Sequence, residues 1–179
     1  MTAVPAGVPE LFLEQSRHLL IEQCWPRLKG CIEPLTEEQL WWRPNEACNS
    51  IGNLLLHLNG NVRQWLVDSF NRLEDNRNRP AEFNQREPVS ASVLLNQLGA
   101  TLRQAAEVLA RLTPADLAAC YEIQGYKVSG LEAVYHVVEH FAMHYGQVLY
   151  IVKTLHGADL GFYSNLNKTG RASWLAIKC

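Results

Sequence analysis

Four long stretches of this 179-residue chain return an apolar residue every three to four positions, and each is fenced by residues that start or stop helices. The first runs from about Pro9 to Lys29, with Leu11, Leu19, Leu20, Cys24 and Leu28 among its apolar members, and Gly30 and Pro34 punctuate its end. The second opens at Ser50, a good N-cap, and runs to about Asp75. The third spans about Ser90 to Leu112. The fourth starts at Ser129, whose pairing with Glu132 makes a capping box, and runs to about His156, where Gly157 ends it. Two shorter helices are signalled: Thr36 and Gln39 form a capping box and Pro44 stops that helix soon after, and Thr113-Pro114 supplies a cap followed by proline at the first helical position. Asn76 to Pro88 is rich in Asn, Arg and Pro and reads as a loop, and Tyr121 to Lys127 reads as a short extended piece. The expectation is an all-α protein, a four-helix bundle with short extra helices, forming one domain over residues 1–179 with its core at about 9–156 and a C-terminal extension at 157–179.

Composition narrows the function. A formal net charge of -2, with no basic run interleaved with aromatic residues, argues against a nucleic-acid partner. Arg72, Arg77 and Arg79, set among Asn and Asp, read as a solvated helix end and loop. No stretch has the roughly 18 uninterrupted apolar residues of a membrane span, and MTAVPAGVPELF lacks the basic-then-apolar order of a signal peptide, so a cytoplasmic protein without a membrane partner is expected. Cys24, Cys31, Cys48, Cys120 and Cys179 are odd in number, scattered and without a CxxC pair, and read as reduced thiols used mostly in packing.

The residues that carry chemistry are histidines. HVVEHFAMH, residues 136–144, places three of them four apart. With His140 set at zero on a helical wheel, Val134, Val137, Phe141, Tyr145, Val148 and Val152 fall between roughly 60° and 140°. His144, at about 40°, is then the most inward of the three, His140 borders the apolar stripe, and His136, at about -40°, points furthest away, with Glu132, Glu139 and Tyr150 on the far side. The same construction on SIGNLLLHLNGNVRQWL puts His57 on the border of its own stripe. Two helices packed on these stripes can bring His57 beside His140 and His144. Three protein ligands with open positions left for water and substrate are what a catalytic metal centre commonly uses. Imidazole suits Zn, Ni, Cu and Fe alike, so the ligand set does not name the ion. Asn61, one turn after His57, and Gln147, close to His144, are candidates to line a pocket or orient the ligands, as is His136. His18 and His156 read as surface residues.

His136-Val-Val-Glu139-His140 also matches the H-x-x-E-H metallopeptidase pattern, in which both histidines bind zinc and Glu is the base. The outward placing of His136 and Glu139 counts against it. A di-iron carboxylate bundle fails, because neither Glu132 nor Glu139 has a histidine three residues later. No GxGxxG, Walker A or GxSxG motif is present.

LTEEQLWWRPNEACNSIGNLLLHLNGNVRQWL, with its Leu-Thr and Trp-Arg-Pro elements leading into a Ser-Ile-Gly helix that carries one histidine, resembles the N-terminal half of DinB/YfiT-like proteins. HVVEHFAMHYGQVLYI is similar to their last helix, with His-x-x-x-His followed by Gly-Gln. The resemblance covers about residues 9–156. It implies a four-helix bundle whose connections are not simple up-and-down hairpins, often a homodimer, with a divalent metal, often zinc or nickel, on three histidines. Carried to this chain these are His57, His140 and His144. The family includes S-transferases that use low-molecular-weight thiols and a maleylpyruvate isomerase. The resulting expectation is a metal-dependent enzyme with thiol S-transferase-like or hydrolase-like chemistry on a small electrophile; the alternative is a non-catalytic bundle that binds metal or a ligand. A bound ion would lower the pKa of a thiol or water, so that no protein nucleophile is needed. Lys168 and Arg171, in GADLGFYSNLNKTGRASWL, read as part of a solvated tail.

Overall fold

A computed structural model describes residues 7–157 and 159–164. Its first long helix, α1, joins three consecutive segments, Val8–Arg17, His18–Cys24 and Trp25–Ile32, of which the middle one is a π-helix. It carries on through Gly30, at which the sequence predicts a stop. The short helix α2, Glu37–Trp41, opens on the Thr36–Gln39 capping box. The second long helix, α3, joins Ile51–Val62, a π-helical Arg63–Asp68 and Ser69–Asn71. Ser50 and Asn53 cap it reciprocally, and Arg72, with φ 55°, closes it before the predicted Asp75. The third and fourth long helices, α5 (Ala91–Arg111) and α7 (Gly130–His156), match their predicted spans within a residue or two. Gly157 caps α7 with φ 62°. Pro114–Ala118 forms the short helix α6 on the Thr113–Asp116 capping box.

Two segments differ from the sequence expectation or complete it. The predicted loop at 76–88 contains a helix, α4 (Arg79–Asn84), capped by the Asn78 side chain, which accepts a hydrogen bond from the Ala81 amide. The extended piece near Tyr121 is one arm of an antiparallel hairpin, β1 (Cys120–Ile123) with β2 (Tyr126–Ser129), paired Cys120 to Ser129 and Ile123 to Tyr126. Its two turn residues, Gln124 and Gly125, both have positive φ, 53° and 77°, as a type I′ turn requires.

The apolar faces meet in one core, with Leu20, Leu28, Leu58, Leu66, Leu98, Val137 and Phe141 fully buried. Packing is not in chain order. Helix α1 lies against α5 and α7, and α3 also lies against α5 and α7, so α1 and α3 occupy opposite corners of the bundle. This is a four-helix bundle with crossed connections. The arrangement sets α3 beside α7, the two helices that carry His57 and His136–His144.

One close approach fixes how α2 docks. A Cβ on Gly52 would stand 2.7 Å from the Trp41 ring. That ring is buried, and its indole N–H donates to the Val89 carbonyl at 3.0 Å. Gly52→Ala is therefore expected to lower stability by about 1–3 kcal/mol through overpacking, although alanine is the better helix former. Urea unfolding of the two proteins checks this, and an alanine variant as stable as the parent would show that Trp41 yields freely.

Among the described residues no helix is long and apolar enough to cross a membrane. Cys24 and Cys31 are buried free thiols, whereas Cys48 is half-buried and Cys120 exposed, so packing accounts for only two of these four. Cys179, Lys168 and Arg171 lie outside the described residues.

Candidate metal centre

His57 points into the bundle from the middle of α3, and His140 and His144 come from successive turns of α7. His57 and His144 are buried, at 3% and 9% exposure, and His140 is half-buried. One ring nitrogen from each of the three lies within 4.8 Å of the others, the only such metal-capable group among the described residues. The Nε2 atoms of His57 and His140 stand 3.0 Å apart.

The outward nitrogens are occupied. His57 Nδ1 faces the Glu82 carboxylate at 2.8 Å and donates to it, which leaves Nε2 as the inward lone pair when the ring is neutral. His144 Nδ1 donates to the Gln147 side-chain carbonyl at 2.7 Å. His140 is held differently: its Nδ1 is buried with no hydrogen-bond partner. Burial, reinforced by the neighbouring His144 and His57, pushes the His140 pKa down to about 3, and burial also lowers His144. Neutral imidazoles are the metal-binding form.

The donor set fits a cation. If His140 carries its hydrogen on Nδ1, two Nε2 lone pairs face each other at 3.0 Å, a repulsive contact that an ion would relieve. With the hydrogen on Nε2, a bare Nδ1 is stranded in the interior. Neither tautomer satisfies the cluster from protein groups alone.

Around the cluster lies a layer that the sequence reading did not find. Arg77 is buried, not solvated; its side chain is 6% exposed. It grips Glu82 with two hydrogen bonds, Nε to Oε1 at 2.7 Å and Nη2 to Oε2 at 2.9 Å, and donates from Nη1 to Gln64 at 2.9 Å. Gln64 in turn donates to Asp75 at 2.6 Å. Burial raises the Glu82 pKa, but the hydrogen bonds from Arg77 and His57 outweigh it and hold the carboxyl below its ordinary range. The Asn53 amide ties α4 down by donating to the Glu82 and Gln85 carbonyls at 2.9 and 3.1 Å. Gly60 makes room: a Cβ there would collide with the Glu82 carboxylate and come within 2.9 Å of Arg77 Nε. The one sequence signal for this layer was Asn78, followed by Pro80 and then Glu82, a cap-and-proline start hidden in a polar stretch.

His136 also departs from its expected place. Instead of pointing away, it is half-buried, stacked on Trp65 with ring centroids 4.1 Å apart, and its Nε2 accepts from the Asn61 amide at 3.1 Å. Asn61 therefore serves His136 and makes no such bond to the three-histidine cluster. Trp65, buried as its place on the apolar stripe of α3 requires, stands on a π-helical turn. Glu139 is exposed, so the H-x-x-E-H pattern does not assemble a zinc ligand pair with an inward base. Gln147 sits beside His144, as its position suggests.

A helical bundle in which three histidines converge from two neighbouring helices, α3 and α7, defines a class of fold with a built-in candidate ion site. The sequence profile of the DinB superfamily matches residues 20–148. The chain belongs to the DinB superfamily. Its fold is similar to that of a conserved protein from Enterococcus faecalis, at 15% identity and TM-score 0.68, covering 81% of this chain and 97% of that one. It is also similar to a DinB-like protein from Bacillus cereus ATCC 10987, at 15% identity and TM-score 0.62, covering 83% of this chain and 93% of that one. No curated protein sequence matches the chain significantly.

Proposed function

We propose that His57, His140 and His144 hold one divalent metal ion and that the protein uses it to act on a small electrophile, with a low-molecular-weight thiol or water as the nucleophile. The observation that carries this is the convergence of three ring nitrogens within 4.8 Å from helices that no local sequence constraint brings together. Zinc or nickel is the choice that the family resemblance favours. A divalent ion on three imidazoles supplies Lewis acidity that lowers the pKa of a coordinated thiol or water. The chain's own part is positional. Glu82 and Gln147 each fix one ligand ring, and burial keeps His140 and His144 neutral.

A non-catalytic ion-binding bundle is the second reading, and one observation favours it. Glu82, the carboxylate that touches the cluster, is committed to Arg77 and His57 and is not placed as a base. Thiol transfer assayed across a panel of electrophiles separates the two readings.

Elemental analysis of tag-free protein tests the site itself. About one ion per chain is expected in the parent, with loss of that ion in His57→Ala and His144→Ala and its retention in His136→Ala. No bound metal after supplementation with zinc or nickel would end the proposal, and loss confined to His136→Ala would instead revive the metallopeptidase pattern.

A further inference from the structure

A pocket of about 760 Å³, within the size range of small-molecule sites, opens beside the cluster between α7 and the segment that leads into α3. Trp42, Met143 and Tyr150 give it apolar and aromatic walls, and Asn49, Gln147 and Thr154 add amide and hydroxyl groups. None of its lining residues, among those described, carries a charge. Gln147 belongs to both places, because it lines the pocket and its carbonyl holds His144.

Gly146 supplies a second observation. It sits inside α7, where glycine costs about 1 kcal/mol relative to alanine. Neither backbone nor packing calls for it: its φ is not in the left-handed region, and an added Cβ would meet nothing within 4 Å. Gly146 lines the pocket between Met143 and Tyr150, and an added Cβ there would stand in open space.

We propose that this pocket binds an uncharged, ring-bearing small molecule, and that Gln147 ties its occupancy to the histidine cluster. An ionised ligand would leave water for a site without a counter-charge, at considerable cost, whereas an aromatic ligand gains ring contacts with Trp42 and Tyr150. The first part stands on the pocket alone; the coupling through Gln147 rests on the metal reading.

The test uses the full chain and two fluorescent probes with one carbon framework, neutral N-phenyl-1-naphthylamine and anionic 8-anilinonaphthalene-1-sulfonate. The neutral probe is expected to bind at least tenfold more tightly than the anion. Gly146→Leu is expected to weaken it tenfold or more while the protein melts no lower than the parent. Gly146→Ala, which narrows the pocket less, should fall between. Equal affinity for both probes, or an unchanged affinity in Gly146→Leu, overturns the proposal. Repeating the titration on metal-free His140→Ala separates the two ideas. Probe binding that persists there, and is lost in Gly146→Leu, upholds the pocket even if no ion ever binds. Normal ion stoichiometry with a probe indifferent to Gly146→Leu overturns the pocket and leaves the metal reading standing.

Discussion

Glu82→Ala is expected to weaken divalent-ion binding by about 10- to 100-fold, the usual cost of losing a group that orients a metal-binding histidine. The same substitution should lower stability by about 3–5 kcal/mol, as removing one partner of a buried ion pair does. Both effects come from one arrangement. The carboxylate fixes the His57 tautomer through Nδ1 at 2.8 Å, and it neutralises Arg77, whose side chain is almost fully buried. Without it, His57 is free to turn its proton inward and Arg77 is left as an unpaired interior charge. Glu82→Gln keeps the shape and one carbonyl acceptor, so it should lose less of both. Ion affinity by chelator competition and the d–d spectrum of a cobalt-loaded sample report the ligand geometry, and urea unfolding reports the stability. An alanine variant that unfolds earlier, yet binds ions with unchanged affinity and spectrum, would make Glu82 a structural residue only.

Acid should destabilise the metal-free protein before the carboxylates with lowered pKa values, Glu82 among them, titrate. In the folded state His140 has a pKa of about 3, and His144 and His136 are also lowered, each chiefly by burial. In the unfolded chain all three return to the ordinary value of about 6.5. Between those limits the unfolded state binds protons that the native state refuses, so unfolding free energy falls as pH falls. This contribution is fully present above about pH 6.5 and is lost progressively towards pH 3. Between pH 5 and 6.5 the histidines dominate over Glu82 and the other carboxylates with lowered pKa values, which act further down, while Asp68, raised by burial, works in the opposite sense. Urea midpoints measured across that window should slope with pH in the parent and slope less in His140→Leu. Parallel slopes would mean that His140 is as easily protonated folded as unfolded.

Local signals made most of the fold legible. Capping boxes at Thr36 and Ser129 and caps at Ser50 and Thr113 act over three residues; the structure contains all four, and the caps at Ser50 and Thr113 are completed as boxes by Asn53 and Asp116. The stripe geometry also ordered two of the α7 histidines properly, with His144 more buried than His140. Three things stayed hidden, for separate reasons. Helix α4 is six residues long and shows no apolar period, so Glu82 looked like part of a polar loop. Arg77 is buried by a partner that a linear reading had no reason to supply. His136 lies off the apolar stripe, yet a wide aromatic ring on a π-helical turn reaches it. The 3.6-residue period presumes uniform helices, and both α1 and α3 contain a stretch wound at i to i+5.

His57 and His140 meet across 83 residues of chain. An ion seated between them would act as a removable cross-link between the two halves of the molecule, closing a loop that covers nearly half its length. Because only the closed bundle presents all three nitrogens, binding is linked to folding, and free ion at a thousand times its dissociation constant would add about 4 kcal/mol of stability. Amide hydrogens in α3 and α7 would then exchange more slowly in step with each other as ion is added. The ion supply around the protein would thereby set how often the bundle opens, and with it how long the chain survives proteolysis.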